Sequence, residues 1–98
     1  MRSSYRLSIS KEAQADLASI REWLLQPGSG RRSHGRYSAV LQAVDDLRTG
    51  SGRWPFGNIA GVRERPVTGH RIYYRIDEER KRIRILRIFG PFQDRSRL

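Results

Sequence analysis

The stretch His70-Arg71-Ile72-Tyr73-Tyr74-Arg75-Ile76 alternates without a break, with Ile72, Tyr74 and Ile76 on one side and Arg71, Tyr73 and Arg75 on the other. A two-residue period is the mark of a strand with one buried face. It predicts a sheet covered on one side and basic and aromatic on the other. After the charged turn Asp77–Arg80, a further strand runs over Lys81–Phe89. Its apolar set changes parity, Ile83 and Ile85 and then Leu86 and Ile88, which is expected of a central strand buried on both faces for part of its length. Upstream, Val62–Val67 contains Pro66, which cannot donate to a ladder and so puts that strand at an edge or a bulge.

The first half of the chain supplies the cover for this sheet. Tyr5, Leu7 and Ile9 alternate with Arg6, Ser8 and Ser10, giving an N-terminal strand. Ser10 stands where a helix cap belongs, with Glu12 in the first turn to favour the helix dipole. Ala13, Leu17, Ile20 and Leu24 then make one apolar stripe, stopped by Pro27-Gly28-Ser29-Gly30. A second helix is predicted from about Ser33 to Arg48, with Tyr37, Val40, Leu41, Val44 and Leu47 on one face. The short connection predicts an antiparallel helical hairpin, and Arg53–Gly61 reads as an irregular loop. The fold class is therefore α+β: an N-terminal strand, a helical hairpin, then a three-strand antiparallel meander, with the helices on one sheet face.

At 98 residues the chain reads as a single domain, with a polar basic tail over 91–98. Twenty Lys+Arg against ten Asp+Glu leave a net charge of +10, carried almost wholly by arginine. Such a field attracts nucleic acid, nucleoprotein or an acidic protein. With no cysteine and only His34 and His70, the chain offers no thiolate, disulfide or histidine cage, so neither a metal nor another cofactor is expected. No apolar run approaches the roughly 20 residues of a membrane span, and the N-terminus lacks the apolar core of a secretory signal. A cytoplasmic protein is the expectation.

Arg63, Arg65, Arg71, Tyr73, Arg75, Arg84 and Arg87 come from three neighbouring strands. Several are expected to converge on one concave sheet face, where arginines hold phosphates and a tyrosine stacks a base. The alternative is a solvated face on which arginines pair with Glu64, Asp77, Glu78 and Glu79. His70 titrates near neutrality and is a candidate general base. It follows the turn Thr68-Gly69, however, which favours a surface turn histidine. Trp54 and Phe56 suit either an exposed contact patch or a lid on a small core. Trp23 and Leu25 flank the first helix's stripe and, with Tyr37, either leave an apolar strip for a protein partner or merely widen the core contact.

The chain resembles the ParE/RelE toxin superfamily of type II toxin–antitoxin systems. The resemblance is carried by Tyr5-Arg6-Leu7-Ser8, by Ala13, Asp16-Leu17 and Ile20, and by Tyr37, Leu41 and Leu47. Val62-Arg63-Glu64, Gly69–Ile76 and Ile85-Leu86-Arg87-Ile88 complete it. The Gly-x-Arg-Ile-x-Tyr core of the penultimate strand is the most telling part. Such a resemblance implies a toxin bound by an antitoxin in a hetero-oligomer, with an acidic antitoxin segment suiting the net charge. Trp23, Leu25, Tyr37, Arg71 and Arg75 would be its contacts.

Members of the superfamily divide between messenger-RNA cleavage on the ribosome and inhibition of DNA gyrase. Arg71 matches a basic position of the ribonucleases. After the last strand, however, this chain has Phe92 where they carry basic or His-Tyr elements, and phenylalanine neither donates a proton nor neutralises a phosphate. That favours the ParE-like branch, with no catalytic residue, and with target contact through Arg63, Arg71, Tyr73, Arg75, Arg87, Phe92, Arg95 and Arg97. The alternative is an mRNA interferase using Arg63, His70, Arg71, Tyr73 and Arg87. A degenerate toxin kept as a binding partner for a regulator is a third reading.

Overall fold

The computed structural model describes residues 4–91, and the elements follow the expected order. Strand β1 (Arg6–Ile9) leads into helix α1 (Lys11–Leu24), then helix α2 (Gly30–Gly50) and strands β2 (Arg63–Val67), β3 (His70–Asp77) and β4 (Arg82–Phe89). One four-stranded sheet results, in the order β1-β4-β3-β2. The meander is antiparallel, while β1 lies parallel to β4, so the sheet is mixed. Parallel pairing follows from the intervening chain: β1 leaves the sheet, crosses it as two helices and returns through the meander.

Ser10 caps α1 as its chemistry demands, its Oγ accepting from the Ala13 N–H at 3.0 Å and donating to the Leu86 carbonyl at 2.8 Å. The cap thus joins the helix start to the central strand. Helix α2 begins at Gly30, three residues earlier than its apolar pattern, and continues to Gly50. Gly30 stands at φ +80°, a left-handed conformation that only glycine adopts without strain, which lets the chain turn straight into the helix. Between β2 and β3, Thr68 (φ +45°) and Gly69 (φ +80°) form a two-residue turn with positive φ at both positions, the geometry that matches strand twist.

Ala13, Ile20 and Leu24 of α1 and Val40, Ala43, Val44 and Leu47 of α2 pack on Ile72, Tyr74, Ile83, Ile85 and Ile88. The change of parity in β4 is a bulge: Tyr73 pairs with Arg87 but Tyr74 with Ile85, leaving Leu86 as the extra residue. Because of it, Ile83, Ile85 and Ile88 all share the helix-facing core. Pro66 lies on β2, the strand at the end of the sheet order. A 3₁₀ turn, Ser51–Arg53, leads into the segment expected to be irregular, within which Phe56 forms an isolated bridge to Arg63 of β2.

Tyr74 is fully buried and its hydroxyl donates to the Ser51 carbonyl. Burial pushes its pKa up to about 12, outweighing the opposing pull of Arg63 and Arg65. A raised acid binds its proton more tightly in the folded state, so its stabilisation is whole below about pH 10 and is lost as pH climbs towards 12. The native protein is expected to lose roughly 2–3 kcal/mol across that window relative to Tyr74→Phe, at about 1.4 kcal/mol per unit. Urea unfolding of both proteins at stepped pH measures it; parallel curves would assign the phenol no such role.

Candidate basic sheet face

Register decides which side chains meet. Arg71, Tyr73 and Arg75 of β3 lie opposite Phe89, Arg87 and Arg84 of β4, all on the face away from the helices. Arg63 and Arg65 pair with Tyr74 and Ile72, and so share the helix-facing side. Of the seven candidates, Arg71, Tyr73, Arg75, Arg84 and Arg87 share the outward face, whereas the two β2 arginines are on the other, because their parity follows the core residues. There, Arg63 donates to the Trp54 carbonyl at 2.5 Å and lies 4.1 Å over the exposed Phe56 ring. Arg65 stacks at 4.7 Å over Trp54, which itself packs on the main core. Arg65 Nε and Nη1 are buried without a hydrogen-bond partner among the described residues, so the ring face is the contact that stabilises this cation.

On the outward face, Tyr73 does not present its ring to solvent. It is 2% exposed, meets Phe89 edge-on at 5.5 Å between centroids, and forms a second small core with Val62 and Leu86. The expected stacking role for Tyr73 is thereby corrected, since a base has no access to its face. Arg87 lies over Phe89 at 4.5 Å. It is also clamped from the side: its Nε and Nη2 donate to Asp16 Oδ2 and Oδ1 at 2.8 and 3.0 Å. The same Asp16 accepts the Ile88 N–H at 2.8 Å. That carboxylate pushes the Arg87 pKa up further. In the sequence, Asp16 stands out only as part of the family pattern. Its position between Ala13 and Ile20, on the apolar stripe, is the sign that a buried carboxylate has a fixed cation to hold.

Arg71 and Arg75 are held by fewer contacts. Arg71 sits 3.7 Å from Glu64, beyond hydrogen-bond range, and Arg75 is exposed with its Nη1 beside Gly61. Phe92, Arg95 and Arg97 lie outside the described residues.

His70 is 6% exposed, which corrects the expected surface histidine. It pairs with Val67 at the end of β3, on the helix-facing side, with Nδ1 3.2 Å from the Thr68 carbonyl. It lines a cleft of about 470 Å³ with Ile20, Trp23, Leu24, Arg36 and Pro91. Burial lowers its pKa, Thr68 pulls the other way, and Arg36 adds to the lowering. The folded state therefore prefers neutral imidazole, and its contribution is present above the ordinary pKa near 6.5 and lost as pH falls below it. The protein is expected to lose stability on acidification below that value, more steeply than His70→Gln. Thermal melts of both on either side of pH 6 check this; superimposable pH profiles would contradict it.

The apolar strip is divided. Trp23 is 71% exposed at the His70 cleft, Leu25 lines a separate hollow with Arg21 and Pro27, and Tyr37 packs against the main core. Among the described residues, no group of three His, Cys, Asp or Glu could hold a metal ion. No helix there is long and apolar enough to cross a membrane.

The fold is shared with solved toxin–antitoxin structures. A chain of the chromosomal ParDE system of P. aeruginosa superposes with a TM-score of 0.73 at 20% identity, covering 89% of this chain and 96% of that one. RelBE2 of Mycobacterium tuberculosis gives 0.66 at 24% identity, covering 89% and 91%. The archaeal RelE–RelB complex of Pyrococcus horikoshii gives 0.61 at 17%, covering 93% and 99%. No curated protein matches the sequence. The family model described as the ParE toxin of the type II toxin–antitoxin system parDE matches residues 7–90, from β1 to the end of β4. The chain belongs to the ParE toxin family of type II toxin–antitoxin systems.

Proposed function

We propose that this toxin impairs DNA gyrase by binding it, without chemistry of its own, and is neutralised by a cognate antitoxin. The observation that carries this reading is the division of the residues an RNA-cleaving site would need. Arg63 and His70 stand on the helix-facing side of the sheet, and Arg71, Tyr73 and Arg87 on the other. Of these three, Tyr73 is buried and Arg87 is tied to Asp16. General acid–base catalysis needs donor and acceptor within hydrogen-bond reach of one reacting group, which two faces of a sheet do not offer. The ParE match favours the same branch.

Arg71 and Arg75 are the target contacts that the described face leaves accessible, with Phe92, Arg95 and Arg97 of the tail as further candidates. An antitoxin carrying an acidic segment would complement the +10 charge and order itself on binding. Trp23 is its best apolar anchor, being large, aromatic and exposed. Leu25, Tyr37, Arg71 and Arg75 are the remaining contacts proposed for it.

The test adds purified, antitoxin-free protein to a gyrase supercoiling assay and, in parallel, to translating ribosomes. Blocked supercoiling or accumulated cleaved DNA, with intact message, is the expected outcome. Cut message with normal supercoiling would overturn the proposal and make the sheet face an active site.

A further inference from the structure

At the end of the sheet away from Tyr73 and Phe89, the outward face carries Arg6 on β1, Arg82 and Arg84 on β4, and Arg75 on β3. All four are exposed. Register sets them in like-charged pairs: Arg6 lies beside Arg82, and Arg75 opposite Arg84. Like charges directly opposite each other on a sheet oppose folding. Compensation within the patch is partial, since Asp77 on β3 stands opposite Arg82. The guanidinium groups of Arg6, Arg75 and Arg82 make no hydrogen bond or ion pair with any described residue, and Arg84 donates only to the neutral Ser8 Oγ at 2.6 Å. The carboxylates Asp77, Glu78 and Glu79 of the β3–β4 turn line the same hollow as Arg75, Arg82 and Arg84 without closing an ion pair to them. Asp77 accepts the Arg80 N–H and Glu78 accepts the Tyr5 hydroxyl.

We infer that this patch is a binding surface for the phosphate backbone of a nucleic-acid duplex. Charge complementarity calls for a polyanion, and the geometry separates the polyanions. Arg82 and Arg84 are two residues apart on one strand, about 6.7 Å, and their partners stand about 4.8 Å to either side, an extended grid of forked donors. A partner protein needs apolar anchors, and the outward positions of this region (Arg6, Ser8, Arg75, Asp77, Arg82 and Arg84) contain none. A single strand needs exposed rings on which bases stack, and the outward-facing Tyr73 and Phe89 are each 2% exposed. A duplex backbone asks only for rigidly placed positive charge, and such interfaces are polar and strongly basic. The surface reads no sequence. It does not depend on gyrase being the target, since the arginines face outward whatever the toxin inhibits.

The salt dependence of binding tests it. Fluorescence anisotropy of a labelled blunt DNA duplex, titrated with the full chain at several NaCl concentrations, gives the slope of log affinity against log salt. The triple variant Arg6→Gln, Arg82→Gln, Arg84→Gln is expected to flatten that slope by roughly 2–3, at about 0.9 for each phosphate no longer neutralised. Arg21→Gln, Arg31→Gln, Arg32→Gln removes the same charge from exposed positions on the helices and is expected to change the slope by less than about 1. Lysine at positions 6, 82 and 84 keeps the charge and is expected to keep most of the slope. If the wild-type protein fails to bind the duplex, the surface is disproved. Equal flattening by both glutamine triples would make it diffuse charge rather than a site. Tighter binding to a single strand of equal length, or binding to an acidic peptide alone, would equally overturn the assignment.

Discussion

Asp16→Ala is expected to destabilise the fold by about 2–4 kcal/mol, because it breaks a part-buried ion pair and leaves a buried N–H without its acceptor. Asp16 is 8% exposed and holds three donors: two from Arg87 and the N–H of Ile88. Alanine would leave the Arg87 guanidinium over Phe89 without its counter-charge, and the Ile88 N–H without an acceptor in a buried place. Domains of this size have about 5–15 kcal/mol in total, so the variant would lose a large fraction of its stability. Asp16→Asn keeps one oxygen for the Ile88 N–H and should recover part of the loss. Urea unfolding of the three proteins gives the comparison. A cost below about 1 kcal/mol for alanine would mean that water replaces the carboxylate, and that the clamp orients Arg87 without stabilising the fold.

The second large effect is functional. If Arg71 and Arg75 grip the target, their joint replacement by alanine should weaken binding by about a thousandfold, taking roughly 2 kcal/mol for each interface arginine and 1.4 kcal/mol per tenfold. Growth arrest on expression would be relieved, while the unfolding midpoint would move little, because neither guanidinium closes a hydrogen-bonded contact within the fold. Arg71 is 3.7 Å from Glu64 and Arg75 is exposed. Surface pairs of this kind contribute at most about 1 kcal/mol. Plating efficiency under induction, read beside the melting curve of the purified variant, separates the two contributions. Unrelieved arrest with an intact fold would remove these arginines from the contact surface.

Where side-chain periodicity is local, the sequence reveals the fold. The strict alternation of His70–Ile76, the Ser10 cap and the Ala13, Ile20, Leu24 stripe all reappear in the structure, because each is dictated by neighbours within a few residues. The early start of α2 is hidden because Gly30 and Gly35 are poor helix formers, and packing rather than propensity holds that turn. The composition of the basic face is legible only in part. Arg63 and Arg65 look equivalent to Arg71 and Arg75 until the β2–β3 register is known, and a shift of one residue in that register would exchange the faces. Tyr73 alternates as an outward residue and does point outward. What sequence does not supply is the second small core of Val62, Leu86 and Phe89 that closes over it. Its members come from a loop end, a bulge and a strand end, so no period links them.

The parallel pairing of β1 with β4 has a consequence in time as well as in space. Arg6 waits for Arg82 and Ile9 for Ile85, and Asp16 has no guanidinium to hold until Arg87 has been made. During synthesis, at about 5–20 residues per second, the first strand therefore exists for several seconds with no ladder to join. The helical hairpin can form early from its local contacts. The arginine grid cannot, because its rows come from opposite ends of the described chain. Contacts so distant in sequence slow folding through the entropy of closing the intervening loop. A nascent toxin is thus without its basic surface for most of its elongation, and acquires it in a late step when the final strand slides between β1 and β3.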